Sequence, residues 1–374
     1  KKQANILSED LPAPDAPRER ERGTQTSFKQ KKELFKFIGK QEFPYEVIDF
    51  DVGDLNGDGK NEFVLIDRYR VMIFENKKGR LKKISLVKTS KIANHFLTVD
   101  VGDINGNGRD EIFVTNQVGD SLESFALETR PKQKGFRYVW KDANLYFRII
   151  QPMGKRPILM SQSPGYQDPF EGPIRRVLFK NGKYRQGPKL NTPSIYGTHF
   201  ILYGLTQQDL NGNGATETIV LDNKYHLRVY SSNGRLVVKS SDYYGHDPRL
   251  IEVGIKEDAS GVVRQGDPVR FKGRLQLVKV GGSRFLLLPL NHNVGGGFLD
   301  RLVIVENSGL ALLRLTGEGF AKAYKSSKQK GFLGTYRVIP HKKGAGAGVY
   351  VLRVDKTTWA KSVSSALSTY EWPA

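Results

Sequence analysis

Three short loops in this 374-residue chain carry the residue types that hold hard cations. They read DLNGDGKNE from Asp54, DINGNGRDE from Asp103 and DLNGNGATE from Asp209, a shared D-x-N-G-[DN]-G-x-x-E. Oxygen ligands at positions 1, 3 and 5, a backbone carbonyl at 7 and a carboxylate at 9 can wrap one ion, while glycine at 6 permits the sharp turn. In the first loop these are Asp54, Asn56, Asp58 and Glu62 with the Lys60 carbonyl. In the second they are Asp103, Asn105, Asn107 and Glu111 with the Arg109 carbonyl, and in the third Asp209, Asn211, Asn213 and Glu217 with the Ala215 carbonyl. The first loop has three ligand carboxylates and the others two, so it is expected to bind calcium tightest. The closing acid comes at position 9, and strand-like residues flank each loop, which points to an ion tying one β-strand to the next. The bland alternative is that Asn-Gly and Asp-Gly merely make hairpin turns at positive φ. Three copies in register favour structural Ca2+ at up to three sites.

The elements that must position these loops are strands. FVLI (63–66), RVMIF (70–74), EIFV (111–114), ETIVL (217–221), HLRVY (226–230), FLLLPL (285–290), RLVIV (301–305) and GVYVLRV (348–354) have strand length and are rich in β-branched and aromatic residues. Sustained helical periodicity is hard to find. The loop aspartates stand 49 and 106 residues apart, and the longer interval is about two periods of a repeat near 50. A diverged unit is expected between them, and LYFRII (145–150), PILMS (157–161) and IRRVLFKNGKY (174–184) supply its strands without an acidic loop. A period near 50 with about four strands per unit is the signature of β-propeller blades. Inner strands starting near 46, 97, 145, 199, 275 and 335 give six antiparallel blades. The stretch 241–272 is then either a long insertion in blade five or a degenerate seventh blade. The last unit has no room for a fourth strand, so KELFKFI (32–38) is expected to pair with the C-terminal blade and close the ring. Residues 1–27, with Pro12, Pro14, Pro17 and an alternating Arg/Glu run, read as a disordered or extended linker before the propeller at 28–374. Lys at residue 1 reads as a mature or trimmed chain, and an anchor or further module is expected to precede it.

The loops DLNGDGKNE, DINGNGRDE and DLNGNGATE, each followed by a strand, resemble the FG-GAP/VCBS repeats of integrin-like β-propellers. The resemblance implies a propeller with structural calcium in an extracytoplasmic protein concerned with adhesion, recognition or assembly. Propellers of that family often have seven blades. The chain departs from the pattern in carrying Asn at position 5 of two loops and no such loop in at least three blades.

Composition narrows the function. There is no cysteine, which excludes disulfide scaffolds, thiol catalysis and cysteine-ligated metal. No apolar run reaches the 18 residues that span a bilayer. The net charge of +20 suggests an anionic neighbour, yet the cations are dispersed, and no zinc-finger, helix-turn-helix or RNP signature accompanies them, so nucleic acid is not expected. The six histidines form no HExxH pair, and there is no G-x-S-x-G or P-loop. GAGAG (344–348) precedes a strand and reads as a loop. Two insertions offer surface chemistry: Tyr243, Tyr244, His246, Asp247 and Arg249, and Tyr166, Asp168, Phe170 and Glu171. They could bind a sugar or abstract a proton, or simply pack over blade edges. Loops of low charge resemble extracellular modules with affinities of about 10⁻⁴–10⁻³ M, which argues for the periplasm, the cell surface or secretion. The expected function is a non-catalytic calcium-stabilised module binding a protein or glycan. The alternatives are a polysaccharide lyase or hydrolase using the insertions at the propeller mouth, and a structural subunit of a surface assembly.

Overall fold

A computed structural model describes residues 33–374 apart from 90–92, 131–134, 166–168, 191–199, 246, 252–254, 258–262, 266–268, 281, 294–304, 318, 342–345, 357–362 and 373–374. The 1–27 linker therefore lies outside the described residues.

The apolar runs become strands of six antiparallel sheets, each four strands deep from the axis outward. Blade one is Asp49–Gly53, Glu62–Ile66, Arg70–Lys77 and Arg80–Lys88. Blade two is Asn94–Gly102, Glu111–Val118, Ser124–Thr129 and Phe136–Ala143, and blade three is Tyr146–Ile150, Ile158–Gln162, Ile174–Lys180 and Lys183–Lys189. Blade four is Leu205–Gln208, Glu217–Leu221, His226–Tyr230 and Leu236–Tyr243. Blade five is Gln276–Val280, Ser283–Asn293, Val305–Thr316 and Gly319–Lys325. Blade six is Phe332–Pro340, Ala347–Lys356 and Val363–Trp372, with Lys36–Phe43 outermost. The chain is a six-bladed β-propeller, and no α-helix occurs among the described residues.

Side-chain burial follows the same radial order. Second strands such as Glu62–Ile66 and Glu217–Leu221 are buried throughout, whereas the outer Arg80–Lys88 exposes Arg80, Lys82, Lys83 and Lys88. Charge on outermost strands also guards their unpaired edges. The cores lie between neighbouring sheets. Val64, Ile66 and Ile73 meet Phe96, Val99 and Ile112 between blades one and two, and Phe50, Phe63 and Leu65 meet Phe43, Leu352 and Leu367 between blades one and six. Comparable clusters join the other neighbours, so every blade depends on two partners.

The ring closes as the missing fourth strand of blade six requires. Lys36–Phe43 pairs antiparallel with Val363–Trp372, from Lys36 opposite Glu371 to Phe43 opposite Ser365. The closing strand begins later than the 32–38 suggested by KELFKFI. Phe35 is buried instead, its ring edge-on to Tyr324 at 5.4 Å and Trp372 at 5.2 Å, and the ladder runs on through a register shift between Phe37 and Gly39. The 241–272 stretch ends the outer strand of blade four at Tyr243 and then forms an insertion between blades four and five. Its described pairings are two short ladders, Leu250–Ile251 with Val269–Arg270 and Ile255–Glu257 with Val263–Gln265.

Candidate functional site

The three acidic loops join the inner and second strands of blades one, two and four, each opening after a matching pair: Gly53 opposite Glu62, Gly102 opposite Glu111, Gln208 opposite Glu217. In loop one the glycines take φ of 76° and 85°, which other residues rarely adopt. That turn aims successive amides at the loop's own side chains. Asp54 Oδ1 accepts hydrogen bonds from Gly57 N at 2.8 Å and Asp58 N at 3.1 Å, and Oδ2 accepts from Gly59 N at 2.7 Å. Asn56 Oδ1 accepts from Asp58 N at 2.7 Å, Asp58 Oδ1 from Lys60 N at 2.8 Å and Glu62 Oε2 from Leu55 N at 3.0 Å. The oxygens at positions 1, 3 and 5 are thus fixed by the backbone, and most keep a lone pair for a further donor or ion. Loops two and three repeat these bonds, from Asp103, Asn105 and Asn107 and from Asp209, Asn211 and Asn213.

The loops differ in what neutralises them. Among the described residues, no Lys or Arg pairs with Asp54, Asp58 or Glu62. Burial pushes Glu62 up to about 7, and the charges of Asp58, Asp54 and Glu75 add to the rise. Loop two has its own compensation. Asn105 and Asn107 each donate a side-chain N–H to Glu128, a fully buried acid on the third strand of blade two, and Asn105 also donates to Glu111. Arg137 grips Glu128 with Nη2 at 2.6 Å and Nε at 3.1 Å, and Arg109 stands 3.7 Å away. Burial would raise Glu128, but the bonds from Arg137, Asn107 and Asn105 hold it below its usual value. Glu111, without such a cation, is pushed up to about 8 by burial. In loop three Arg284 of blade five stands 3.5 Å from Asp209, and Asn211 donates to Glu217 at 3.1 Å.

Donor chemistry therefore fits a hard cation best in loop one. Asp54, Asn56, Asp58, Glu62 and the Lys60 carbonyl would hold it there, where it would supply missing positive charge. Among the described residues no three carboxylate or imidazole side chains converge closely enough to hold a metal by themselves, so the amide and carbonyl oxygens are needed. In loop two the positive side of the balance already comes from Arg137, Arg109 and two amides.

Loops one and two are also latched together. Asp110 N donates to Asp54 O at 2.9 Å, and Asp54 N donates back to Asp110 Oδ2 at 2.7 Å. Burial pushes Asp110 up to about 6. Gly53 is required here, since a Cβ at that position would stand 2.3 Å from Asp110 Oδ2.

A second charged group lies on the inner strands. Asp49 and Asp51 of blade one, Asp100 of blade two, Arg148 of blade three and Arg337 of blade six are all buried, and Arg274 precedes the inner strand of blade five. Arg274 Nη2 donates to Asp100 at 2.9 Å and Arg148 Nη1 at 3.4 Å, while Arg337 pairs with Asp51 and stands 3.8 Å from Asp100. Asp49 accepts from Val99 N at 3.1 Å and Asp51 from Val101 N at 2.9 Å. Arg148 also lies over the Tyr203 ring at 4.8 Å. Asp51, Asp100 and three guanidiniums thus bind five blades together and spend their charge on each other, while Asp49 is held by backbone amides. No motif announces the group. Its trace in sequence is a charged residue set into an apolar inner strand at nearly the blade period: Asp51, Asp100, Arg148.

The described insertion residues do not gather into one surface. Tyr243 is exposed and its ring lies 4.5 Å from that of His226. Tyr244 is buried in the core between blades four and five. Asp247 is buried and paired with Arg249 at 2.7 Å. Arg249 reaches on to the Ile48 carbonyl at 3.0 Å and the Gly334 carbonyl at 2.9 Å, so it ties the insertion to blades one and six. Phe170 is buried against Tyr146 and Tyr203, at 4.5 and 5.9 Å. His246, Tyr166 and Asp168 lie outside the described residues.

Residues 54–114 match the FG-GAP-like repeat family, a span that begins at the first aspartate of loop one and ends in the second strand of blade two. Among solved structures, BBS1N in complex with ARL6DN, soaked with lead, is similar at 11% identity and a TM-score of 0.46, over 92% of this chain and 98% of that one. A mutant of AofleA from Arthrobotrys oligospora is similar at 9% identity and a TM-score of 0.41, over 85% of this chain and 83% of that one. No curated protein matches in sequence.

Proposed function

We propose, for a β-propeller that carries an FG-GAP-like repeat, a non-catalytic role as a binding or assembly module, steadied by calcium in loop one and working outside the cytoplasm. The observation that carries the reading is the fate of the axial charges. An enzyme working at the propeller mouth needs carboxylates and guanidiniums free to meet a substrate. Here Asp51, Asp100, Arg148, Arg274 and Arg337 are committed to one another across the blades. Such a group stiffens a ring and leaves recognition to its broad outer surface.

Calcium is supported by the uncompensated acids of loop one, and the compartment by the low ligand charge, which suits millimolar rather than cytosolic calcium. The +20 net charge supports an anionic protein or glycan partner. A glycan array probed at low and high salt tests the recognition reading. Salt-resistant binding to one glycan class supports a built site. Turnover of any polysaccharide in the same samples, seen as new reducing or unsaturated ends, would overturn the non-catalytic reading.

A further inference from the structure

The outer strands of five blades set acid against base. Glu75 lies opposite Lys82 in blade one, Glu128 opposite Arg137 in blade two and Glu371 opposite Lys36 in blade six. Asp242 of blade four pairs with Lys322 of blade five at 2.9 Å. Blade three is the exception, since none of its four strands carries an acid. Residues 144–190 hold nine Lys and Arg against two acids, so cations that read as dispersed along the chain gather here.

The outer hairpin of blade three sets like charge against like. Lys180 lies opposite Lys183 and Arg175 opposite Lys189, and like charges directly across a ladder repel. Side chains at 174, 176, 178 and 180 share one face of the sheet, and the register adds Lys183 and Arg185 to it. Ile174 is buried there in the cluster that holds Val220 and Tyr230 of blade four. Beyond Ile174 the face opens to solvent. Arg176, Lys180, Lys183 and Arg185 are exposed around Leu178, which is itself 40% exposed. Among the described residues none of these four cations makes a side-chain hydrogen bond or ion pair. Gly187 lets Leu178 lie across the outer strand, since a Cβ at that position would stand 2.9 Å from Leu178 Cδ1. Pro188 then removes a backbone N–H from the edge, which favours contact through side chains over an added strand.

We propose that this face of blade three docks an extended acidic segment of a partner protein, with carboxylates on either side of one apolar side chain that lies on Leu178. Such docking rests on the reading of this module as a binder of anionic partners, and it names the partner's class. The four cations require an anion. Leu178 at their centre favours a protein segment over a glycan, which has no aliphatic side chain to cover it. Arg176 and Lys180 flank Leu178 at two-residue steps of about 7 Å, so acid–x–apolar–x–acid in an extended segment matches their spacing. Arg176 and Arg185 add guanidinium forks that accept a carboxylate through two parallel hydrogen bonds.

The test is titration of the intact protein, at constant ionic strength, with three probes of equal charge. They are the blocked peptides N-acetyl-Glu-Thr-Leu-Thr-Glu-amide and N-acetyl-Glu-Thr-Ser-Thr-Glu-amide, and digalacturonate as the glycan. Leucine methyl resonances are followed by NMR, with Leu178 assigned from the Leu178→Ala variant. The Leu178 methyls should move and saturate with the Leu peptide, and the Ser peptide should bind at least about threefold more weakly. The double variant Arg176→Gln, Arg185→Gln should weaken the Leu peptide by about tenfold. It should melt no lower than wild type, because exposed positions tolerate substitution and like charges are removed. Leu178 methyls indifferent to the Leu peptide, or equal binding of the two peptides, would overturn the proposal. Digalacturonate binding this face more tightly than the Leu peptide would also overturn it, while leaving the anionic-partner reading in place. Peptide binding that the double variant leaves unchanged would do the same by putting the anionic partner on another surface.

Discussion

Loops one and two differ at few positions, occupy the same place in neighbouring blades and make nearly the same backbone hydrogen bonds, yet they solve the problem of negative charge in different ways. Loop one gathers Asp54, Asp58 and Glu62 with no basic partner among the described residues, and Glu62 rises to about 7. Loop two replaces Asp58 by Asn107, and its amides and Arg137 converge on Glu128 from another strand. On the function proposed above, loop one takes a cation, whereas loop two is neutralised by Arg137 and two amides. The lesson is that a repeated motif records geometry, whereas the charge balance that decides metal binding is set by residues outside it.

The largest expected effect tests the self-sufficient loop. Glu128→Met leaves Arg137 and the two amides without their acceptor, and should cost about 3 kcal/mol. The loss should be the same in calcium and in EGTA when read by denaturant melts. A loss confined to calcium would mean that loop two is also a metal site.

Next comes the axis, compensated like loop two but buried more deeply. Burial pushes Asp51 and Asp100 up to about 6, against the pull of Arg274 and Arg148. Their folded pKa values lie above the unfolded value near 3.9. The folded state therefore holds their protons more tightly, and their contribution to stability is full below about pH 4 and lost as pH rises through 6. The metal-free protein should become more stable from pH 7.5 to pH 5, by about 2 kcal/mol, and Asp100→Asn should flatten that slope. A slope of opposite sign would show that the arginines outweigh burial.

Gly53→Ala drives a methyl into Asp110 and breaks the latch between the two loops. A cost of about 1–2 kcal/mol is expected by thermal melts, and an unchanged midpoint would mean that the loops move independently. The smallest effect sharpens the comparison furthest. Arg284→Gln removes a half-exposed partner of Asp209 and should change stability by less than about 1 kcal/mol. It should also give loop three a calcium response, seen as an added midpoint shift relative to wild type.

Much of the architecture was legible because it repeats. The 49-residue interval between Asp54 and Asp103 gave the blade period, and the missing fourth strand of the last unit required an N-terminal strand to close the ring. The closing strand was misplaced because Leu34 and Phe35 look like strand residues, whereas Phe35 is a buried plug between blades five and six. The side-chain oxygens that the loop amides address could be named from spacing alone, since turn geometry is local. Glu128, Arg137 and Arg284 could not, because nothing in the loop encodes which side chain a neighbouring strand presents to it. The axial group was hidden for the same reason: its five paired members come from five blades and meet only when the ring is closed. Tyr244 and Phe170 looked like platforms in polar loops, but burial is a property of the packed blades and not of the loop sequence.

The central claim is that loop one takes calcium while loops two and three balance their own charge. Calorimetric titration of calcium into wild type, Asp54→Ala and Asp103→Ala measures it directly. One ion per wild-type chain is expected, lost in Asp54→Ala and kept in Asp103→Ala. Three ions per chain, or one ion that survives Asp54→Ala and disappears in Asp103→Ala, would contradict it.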